Sequence, residues 1–480
     1  MDIISTGTPH IKDIDVLVIG AGTAGIPTAI FAGKRGAKVL LLEATHRVGG
    51  TLHVSSGHMS GAGSQLQKEK SIVDNPQSHY DDVMRISRNT ANPDLLHIAT
   101  QHAGSTIDWL MSCGFEMGPE CPVIAYSHEP YLVARTYWGT NKGLSILKVL
   151  EQELNESVDA GIVDLRLNSR IVDLHQNSDT NRWQAICSDA NGKFEVTAKN
   201  VILATGGYGS NPELFSQLTG GHPLLSPAPS SADGSGLKIG LQLGGRINNK
   251  DIYLPTVAGV PDQPGGHYLD WNRKSNLTPQ HRKPWEIYVT LEGKRFIAED
   301  DPSPDARERA LRQQPQLAFW VVFDRTILEQ APSLFMRTDK HELLARFGKH
   351  AAYVHSHTLD GLASKCYMNV QSLHQSVAQY NEAVAHGNDA FGRSHLPASI
   401  EHSPFYAIRH QGVTLRCWSG LEVDASLRVV GTNREPMKGL YAIGEILGGS
   451  AMSGDSFASG MSITPALTFG RLLGSQFLIW

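Results

Sequence analysis

The sequence predicts an α/β fold in which both ends of the chain build one Rossmann-like nucleotide-binding domain, with an inserted α+β domain between them. Three segments carry this prediction: a strand, glycine turn and helix that begin at Asp15, and two later strands that run into glycine turns at 201–207 and 439–445. Such units are typical of parallel sheets that bind nucleotides. We expect residues 1–250 and 416–480 to form the nucleotide-binding domain and residues 251–415 the inserted one.

The first glycine turn predicts an adenine dinucleotide. Its residues are Gly20, Ala21, Gly22, Thr23, Ala24 and Gly25. The glycines permit a tight turn and let a diphosphate approach backbone N–H groups at the start of a helix. Glu43 follows Gly25 by eighteen residues, at the end of the next strand and before Ala44, where its carboxylate can accept ribose hydroxyls. Pro27 lies near the helix start, where a proline is tolerated.

Composition excludes several classes. The 42 basic and 47 acidic residues leave a net charge of −5 without a basic cluster, which disfavours nucleic acid as a partner. The five scattered cysteines form no C-x-x-C motif, and His355 and His357 lack supporting carboxylates or cysteines, so we expect no metal site. The first thirteen residues do not resemble a signal peptide, and no apolar run could span a membrane. We therefore expect a cytoplasmic protein.

A loop of small side chains follows Glu43. It contains Gly49, Gly50, Thr51, Ser55, Ser56 and Gly57, and predicts that a flat or phosphorylated group passes close to its backbone. The segment between about 250 and 415 is irregular and contains two helical patterns, near 359–366 and 370–386.

In this order, these blocks resemble the FAD-dependent fumarate reductase and succinate dehydrogenase flavoprotein family, which includes the 3-ketosteroid dehydrogenases. The resemblance spans nearly the whole chain and is carried by the Gly20–Gly25 turn, Glu43, the 49–57 loop, Ala204–Gly207, Gly293–Phe296, Gly439–Glu445 and Pro465–Gly470. It implies an FAD-binding domain covered by a cap domain, with noncovalent FAD. Relatives with covalent FAD have a histidine where this sequence has Thr51, and His53 is two residues away.

The resemblance also implies further FAD contacts. Ile171 would bind the adenine through its backbone, Thr205 and Gly206 belong to the second glycine turn, and Gly444 with Glu445 would lie at the ribityl or diphosphate region. Ser462 and Ile463 would lie near the flavin pyrimidine. A helix N-terminus there offers partial positive charge where flavin reduction creates negative charge.

The sequence departs from both substrate classes of the family. Fumarate-reducing relatives carry a proton-donating arginine eight residues after the one matched by Arg295, and this position is Ser303. Arg307 lies one helical turn beyond. Leu415–Cys417 and Gly454–Ser456 replace the groups that bind dicarboxylates, so a small dicarboxylate is disfavoured. Phe457 replaces the ketone-binding tyrosine of the ketosteroid enzymes, for which Ser456 or Ser459 could supply a hydroxyl.

The candidate catalytic residues are Arg282, Tyr288, Tyr253, Arg416 and Gly460. Arg282 stands thirteen residues before Arg295, the interval of an arginine in the proton path of fumarate-reducing relatives. The two tyrosines could lose a proton if cations lowered their pKa, or they could simply be packed aromatics. Arg416 could bind a substrate oxygen or form a salt link between domains, and Gly460 matches a glycine whose N–H polarises the ketone.

We therefore expect an FAD-dependent oxidoreductase that transfers a hydride between flavin N5 and a carbon next to a carbonyl-activated position in an apolar, cyclic, ketosteroid-like substrate. A protein group would transfer the proton. The electron partner could be oxygen, a quinone or a redox protein. The alternatives are a flavin oxidase or monooxygenase, a fumarate reductase-like dicarboxylate reductase, and a hydratase or isomerase with structural FAD.

Overall fold

A computed structural model of the chain describes residues 9–126, 128–250 and 252–480. Three parts of the chain lie outside the described residues: residues 1–8, Ser127 and Asp251. The first includes most of the segment examined above for a signal peptide, and the last is the first residue of the predicted insertion. The strands are β1 His10–Ile19, β2 Val39–Leu42, β3 Met59–Ser60, β4 Thr136–Tyr137, β5 Val163–Arg166, β6 Arg170–Gln176, β7 Trp183–Asp189, β8 Gly192–Leu203, β9 Ile247–Asn248, β10 Ile287–Val289, β11 Ala318–Asp324, β12 Tyr353–Ser356, β13 Phe405–Gln411, β14 Gly420–Leu421, β15 Arg428–Val430 and β16 Pro436–Ala442.

The α-helices pack on these sheets. They are α1 Gly25–Lys34, α2 Gln65–Glu69, α3 Pro76–Ile86, α4 Pro93–Ser112, α5 Gly143–Asp159, α6 Pro212–Leu218, α7 Ser235–Gln242, α8 Pro304–Arg312, α9 Arg325–Gln330, α10 Lys340–Leu344, α11 Leu359–Lys365, α12 Val370–His386, α13 Ser450–Ser453 and α14 Ile463–Leu472. In the described parts of the chain, no helix is long and apolar enough to cross a bilayer.

The main sheet joins the two ends of the chain. Its strand order is β15-β16-β8-β1-β2-β5, and β6 and β7 extend it antiparallel from β8. Val16, Leu17 and Val18 of β1 are fully buried, as expected for a central strand covered on both faces. β16, from the carboxyl-terminal part, runs parallel to β8 and pairs Leu440 with Val201. The predicted Rossmann-like domain built from both chain ends is confirmed.

The carboxyl ends of the parallel strands lie at one edge of this sheet. β1, β2, β8 and β16 all run in the same direction. Their carboxyl ends lead directly into the predicted turns at 20–25, 43–45, 204–207 and 443–445. Ligands of open parallel sheets bind at this edge.

A second sheet forms the inserted part. It is antiparallel, in the order β10-β11-β13-β12, and its core consists of apolar residues between Val257 and Ile408. α11 and α12 match the two helical patterns expected near 359–366 and 370–386. The inserted α+β domain is therefore confirmed as a class, while its boundaries at 250/251 and 415/416 stay predictions.

Candidate active site

The first glycine turn is closed tightly against the neighbouring strand ends. Gly20 donates its N–H to Leu42 O at 2.8 Å, and its φ of 104° lies in the left-handed region that favours glycine. A side chain at Gly20 would collide with the carbonyl of Ala204, which belongs to the turn after β8. α1 begins at Gly25, so Pro27 lies in its first turn, where the structure tolerates it as expected.

Backbone groups fix the carboxylate of Glu43 at the end of β2. Its Oε2 accepts from Ala21 N at 3.0 Å, and its Oε1 accepts from both the N–H and the hydroxyl of Thr45 at 2.8 Å. A carboxylate has about four acceptor positions, so one remains for a further donor. Ser169 N donates to Glu43 O at 2.8 Å, which brings the start of β6 and Ile171 to this turn. Ala44, next to it, is exposed.

The surfaces above these turns suit a dinucleotide. A Cβ at Gly22 would meet no heavy atom within 4 Å, and one at Gly50 would lie 3.6 Å from the Gly22 Cα. The first turn and the 49–57 loop therefore approach each other with bare backbone between them. In the second turn, the hydroxyl of Thr205 is buried and has no partner among the described residues, beside an unobstructed Gly206. A buried hydroxyl without a partner indicates a polar ligand.

Backbone and side-chain hydrogen bonds fix the rest of the 49–57 loop. Gly143 N donates to Ser55 O at 3.2 Å, and the Ser55 hydroxyl accepts from Gly57 N at 3.0 Å. Thr51 and Ser56 are exposed. His53 Nε2 lies 2.9 Å from Val48 O, so a hydrogen bond within the loop occupies this ring nitrogen.

The carboxyl-terminal turns meet the same surface. Gly444 lies against Ala24, and Glu445 accepts from Cys417 N at 2.9 Å. Burial raises the pKa of Glu445. Ser462 precedes α14 and is exposed, and its hydroxyl makes no capping bond to the helix. Ile463 is the first residue of that helix.

Arg416 lies at the junction between the main sheet and the inserted domain. Its guanidinium donates to Ser456 O at 3.0 Å, to the Ser462 hydroxyl at 3.3 Å and to the Ser453 hydroxyl at 3.4 Å. It lies 4.2 Å from the ring centroid of Phe457 and 4.3 Å from that of Trp418. Its Nε is buried and has no partner among the described residues. Arg416 therefore contacts uncharged groups and aromatic faces.

The charge of Arg416 is held in a buried environment. Only 6% of the residue is exposed, and burial lowers its pKa to about 10, so it stays charged at neutral pH. The side chain of Arg416 packs on Gly449. A Cβ there would lie 2.6 Å from Arg416 Nε and 2.7 Å from its Cδ. His128 stacks on Phe457, one of the two aromatic residues that contact Arg416, with 3.8 Å between ring centroids.

α8 brings two acids to Arg416. Ser303, which stands where relatives have an arginine, caps this helix and accepts from Ala306 N at 3.1 Å. Asp305 and Glu308 follow on one face, and both contribute to the electrostatic environment of Arg416. Burial raises the pKa of Asp305 to about 6 and that of Glu308 to about 8. The guanidinium of Arg307 donates to Leu277 O at 2.8 Å and acts electrostatically on Glu308.

The structure separates the predicted catalytic residues into two groups. Arg416, Gly460 and Tyr253 lie at the junction, where the Tyr253 hydroxyl is 3.0 Å from the Thr414 hydroxyl. Arg282 and Tyr288 lie within the inserted domain: Arg282 forms a buried pair with Glu286 at 2.8 Å, and Tyr288 is part of the core.

The condition under which the two tyrosines could lose a proton, a pKa lowered by nearby cations, is not met. Burial raises the pKa of Tyr253 and Tyr288, whereas the proton-transfer role required cations to lower it. Each ring is almost completely removed from solvent, and the burial effect is the largest cause in both cases.

Gly460 packs against the backbone of Met59 and Ser60, where a side chain would collide. The buried hydroxyls of Ser456 and Ser459 have no partner among the described residues. The 456–460 loop thus presents several polar groups next to Arg416.

Comparison with known proteins identifies the family. The family described as FAD binding domain matches residues 15–460. The chain belongs to this family. It is 28% identical over 473 residues to a probable fumarate reductase of Shewanella frigidimarina, covering 96% of this chain and 74% of the relative.

Two solved structures share the fold of this chain. A flavocytochrome c3 fumarate reductase in its open conformation superimposes with a TM-score of 0.72 at 26% identity, covering 97% of this chain and 78% of that one. The 3-ketosteroid Δ1-dehydrogenase of Sterolibacterium denitrificans shares the fold, with a TM-score of 0.76 at 19% identity over 97% and 99% of the two chains. The protein is an FAD-dependent oxidoreductase that acts on a small-molecule substrate, and the cofactor expected from the sequence is confirmed as FAD.

Sequence reasoning missed two residues of the flavoprotein's junction, Glu308 and Gly449. A usable signal existed for the first: Ser303-Pro304-Asp305 is a helix start, with a capping serine before a proline. Recognising that helix would have placed Asp305 and Glu308 on one face. No local pattern marks Gly449, because its neighbour Arg416 is 33 residues away in sequence.

Proposed function

We propose that this flavoprotein reduces the C=C bond of an α,β-unsaturated carboxylate whose body is apolar and cyclic. Bound FAD, once reduced, would supply the hydride for the carbon remote from the carboxylate. Arg416 binds the carboxylate, and the aromatic rings around it contact the body of the substrate.

The observation that carries this proposal is the environment of Arg416. A buried cation is costly unless it is paired, and the contacts of this one are with hydroxyls, a carbonyl and aromatic faces. Arginine binds carboxylates in a planar, two-point geometry. An anionic substrate group therefore suits Arg416 better than a ketone does.

The surroundings favour one carboxylate rather than two. The largest charge effects on Arg416 come from Asp305, Glu308, Glu445 and Tyr131, all of which are acids. A second substrate carboxylate at this point would face acids. Ser303, in place of the arginine of fumarate-reducing relatives, is used as a helix cap and provides no positive charge.

Aromatic side chains favour a flat, cyclic body. Phe457 contacts both Arg416 and His128, and Trp418 also contacts the guanidinium. Burial lowers the pKa of His128 to about 3, so its ring is neutral at physiological pH and acts as an aromatic surface. Planar rings pack well on such surfaces.

We propose that the electron donor is a reduced redox protein or quinol. The same reaction can run in reverse as a dehydrogenation, with an oxidised partner of these classes. Oxygen as the partner would make the protein an oxidase.

The test is anaerobic turnover with chemically reduced methyl viologen as the electron donor. We expect cinnamate-type enoates to oxidise the dye faster than fumarate, a 3-keto-4-ene steroid or a cyclic enone. Faster turnover of fumarate would refute the single-carboxylate argument, and faster turnover of the neutral ketones would refute the role of Arg416. Rapid oxygen consumption by the reduced protein would indicate an oxidase, and substrate conversion without added electrons would indicate an isomerase or hydratase.

A further inference from the structure

We propose that Glu308 delivers the proton to the substrate carbon next to the carboxylate, at the step for which fumarate-reducing relatives use an arginine. This inference rests on the proposed function. It gives the catalytic acid a position on α8, five residues after the serine that replaces that arginine.

The face of α8 that carries Glu308 is directed at the junction. Asp305, Glu308 and Arg312 are spaced i, i+3 and i+7, which places them on one side of the helix. The first member accepts from Phe457 N at 3.5 Å, and the last donates to Tyr253 O at 3.1 Å. Since both neighbours contact the junction, Glu308 between them faces it too.

Glu308 lies in a buried, charged environment. The ionisable groups that face it are Asp305 and Arg307 from α8, Arg416 from the returning segment, Tyr253 from the linker and Lys274 from the inserted domain. The hydroxyl of Thr256 lies beside its carboxyl group. Arg416 also acts electrostatically on Glu308, so a carboxylate bound by that guanidinium would direct its adjacent carbon toward Glu308.

Several buried polar atoms next to Glu308 have no partner among the described residues. They are Arg416 Nε, Asp305 Oδ2 and Ser456 Oγ, and Arg416 and Asp305 are each more than nine-tenths buried. Unpaired polar atoms in a closed environment indicate a polar ligand. The Asp305 carboxylate also interacts with the Ser456 hydroxyl and lies 3.9 Å from Arg309 Nη1, so Arg416 Nε is the atom that carries this argument, and it lies at the same junction as the helix face.

The protonation states distinguish Glu308 from its neighbours. Burial raises its pKa to about 8, so it carries a proton at neutral pH, as a carboxylic acid donor must. Asp305, with a pKa raised to about 6, is mostly ionised there. The raised pKa values of Tyr253 and Tyr288 make their phenols poorer acids, and Arg307 is engaged by Leu277 O.

The C=C π bond is consumed, and a new C–H bond forms at each carbon. A hydride enters at the remote carbon. Its two electrons come from the external donor, two molecules of reduced viologen in the assay, and its proton comes from solvent. Glu308 loses its O–H proton to the carbon next to the carboxylate, becomes a carboxylate stabilised by Arg416 and Arg307, and regains a proton from solvent before the next cycle.

The test compares E308Q with E382Q, a matched change on the exposed surface of α12. We expect E308Q to retain FAD and to bind cinnamate within about threefold of wild type, measured by the visible spectrum of the flavin, because Gln preserves shape and neutrality. Turnover should fall by roughly 100- to 10,000-fold, the usual contribution of an acid–base group. Wild-type turnover should decline as the pH rises through about 8, and E382Q should behave as wild type.

Infrared difference spectroscopy gives a readout that does not depend on turnover. Wild type at pH 7 should show a protonated carboxyl band that titrates near pH 8 and is missing in E308Q. The inference is overturned if this band is absent from wild type, or if E308Q turns over within twofold of wild type.

If E308Q does not fold, E308D replaces it. An unchanged loss of turnover at alkaline pH in E308D overturns the inference, and a shifted loss supports it. If wild type reduces no enoate, the proposed function fails and takes this inference with it. If wild type reduces enoates and E308Q is equally active, the proposed function stands and only the role of Glu308 is refuted.

Discussion

Replacing Gly449 by alanine tests whether the position of Arg416 controls the reaction. The backbone of Gly449 has φ −65° and ψ −24°, which any residue adopts, so the substitution introduces no backbone strain. Its only effect is a Cβ placed 2.6 Å from Arg416 Nε and 2.7 Å from Cδ. Optimal separations of such atoms are about 3.5–4.0 Å, so the guanidinium must move by about 1 Å.

The expected effect follows from that displacement. A misplacement of about 1 Å in a positioning group costs about 100-fold in rate. Overpacking a buried site also costs about 1–3 kcal/mol of unfolding free energy. G449A should therefore bind FAD normally, lose about 100-fold in kcat/KM for cinnamate in the viologen assay, and unfold at a lower temperature.

A double-mutant cycle with R416A isolates the contact. With the Arg416 side chain removed, G449A should no longer lower the Tm, because the added methyl group meets open space. Retention of wild-type kcat/KM by G449A would refute the positioning argument. An equal loss of Tm in both backgrounds would show that the alanine acts elsewhere.

Three further predictions concern other parts of the site. R416Q should lose about 2–5 kcal/mol of interaction with a substrate carboxylate, which is a fall of about 30- to 4,000-fold in kcat/KM, while neutral enones are little affected; equal losses for both substrates would contradict a charge-based role. G20A should reduce the flavin-to-protein absorbance ratio of the purified protein, because Gly20 has a φ of 104° and faces the Ala204 carbonyl; full FAD occupancy would contradict the tight-turn argument. The folded state holds the Glu308 proton more tightly than the unfolded state, so stability from this group is present below its ordinary pKa of 4.5 and is lost as the pH rises through about 8, a change of about 5 kcal/mol. Urea unfolding of wild type and E308Q between pH 5 and 9 should show a shallower alkaline loss for E308Q, and parallel curves would contradict the buried-acid assignment.

The cofactor turns could be predicted from sequence because each is a local pattern. Gly20–Gly25 and Glu43 lie within one strand–helix–strand unit, and their spacing alone specifies the chemistry. The structure places both at the carboxyl edge of the main sheet, with Glu43 bound to Ala21 N. The individual FAD contacts of Ile171, Thr205 and Glu445 stay predictions.

The acid–base groups could not be predicted in the same way. Their pKa values depend on burial, which separate segments create together: α8, the strand return at Arg416 and the 449–462 region are far apart in sequence. For the tyrosines, the sequence showed nearby arginines and lysines but not the burial that raises their pKa. Arg416 was found only through its alignment with a substrate-binding block of the family.

The charges of the junction explain why an arginine acid can be replaced by a glutamic acid. An arginine donor stays charged until it gives up its proton, and it attracts a second substrate carboxylate. Glu308 is neutral when protonated, so with one carboxylate held by Arg416 the substrate introduces no unpaired charge near it. The bound anion also disfavours ionisation of Glu308 and keeps the acid loaded until hydride transfer makes the adjacent carbon basic. The replacement of an arginine donor by Glu308 removes a positive charge from this junction. The same loss of charge explains both the different proton donor and the preference for a substrate with a single carboxylate.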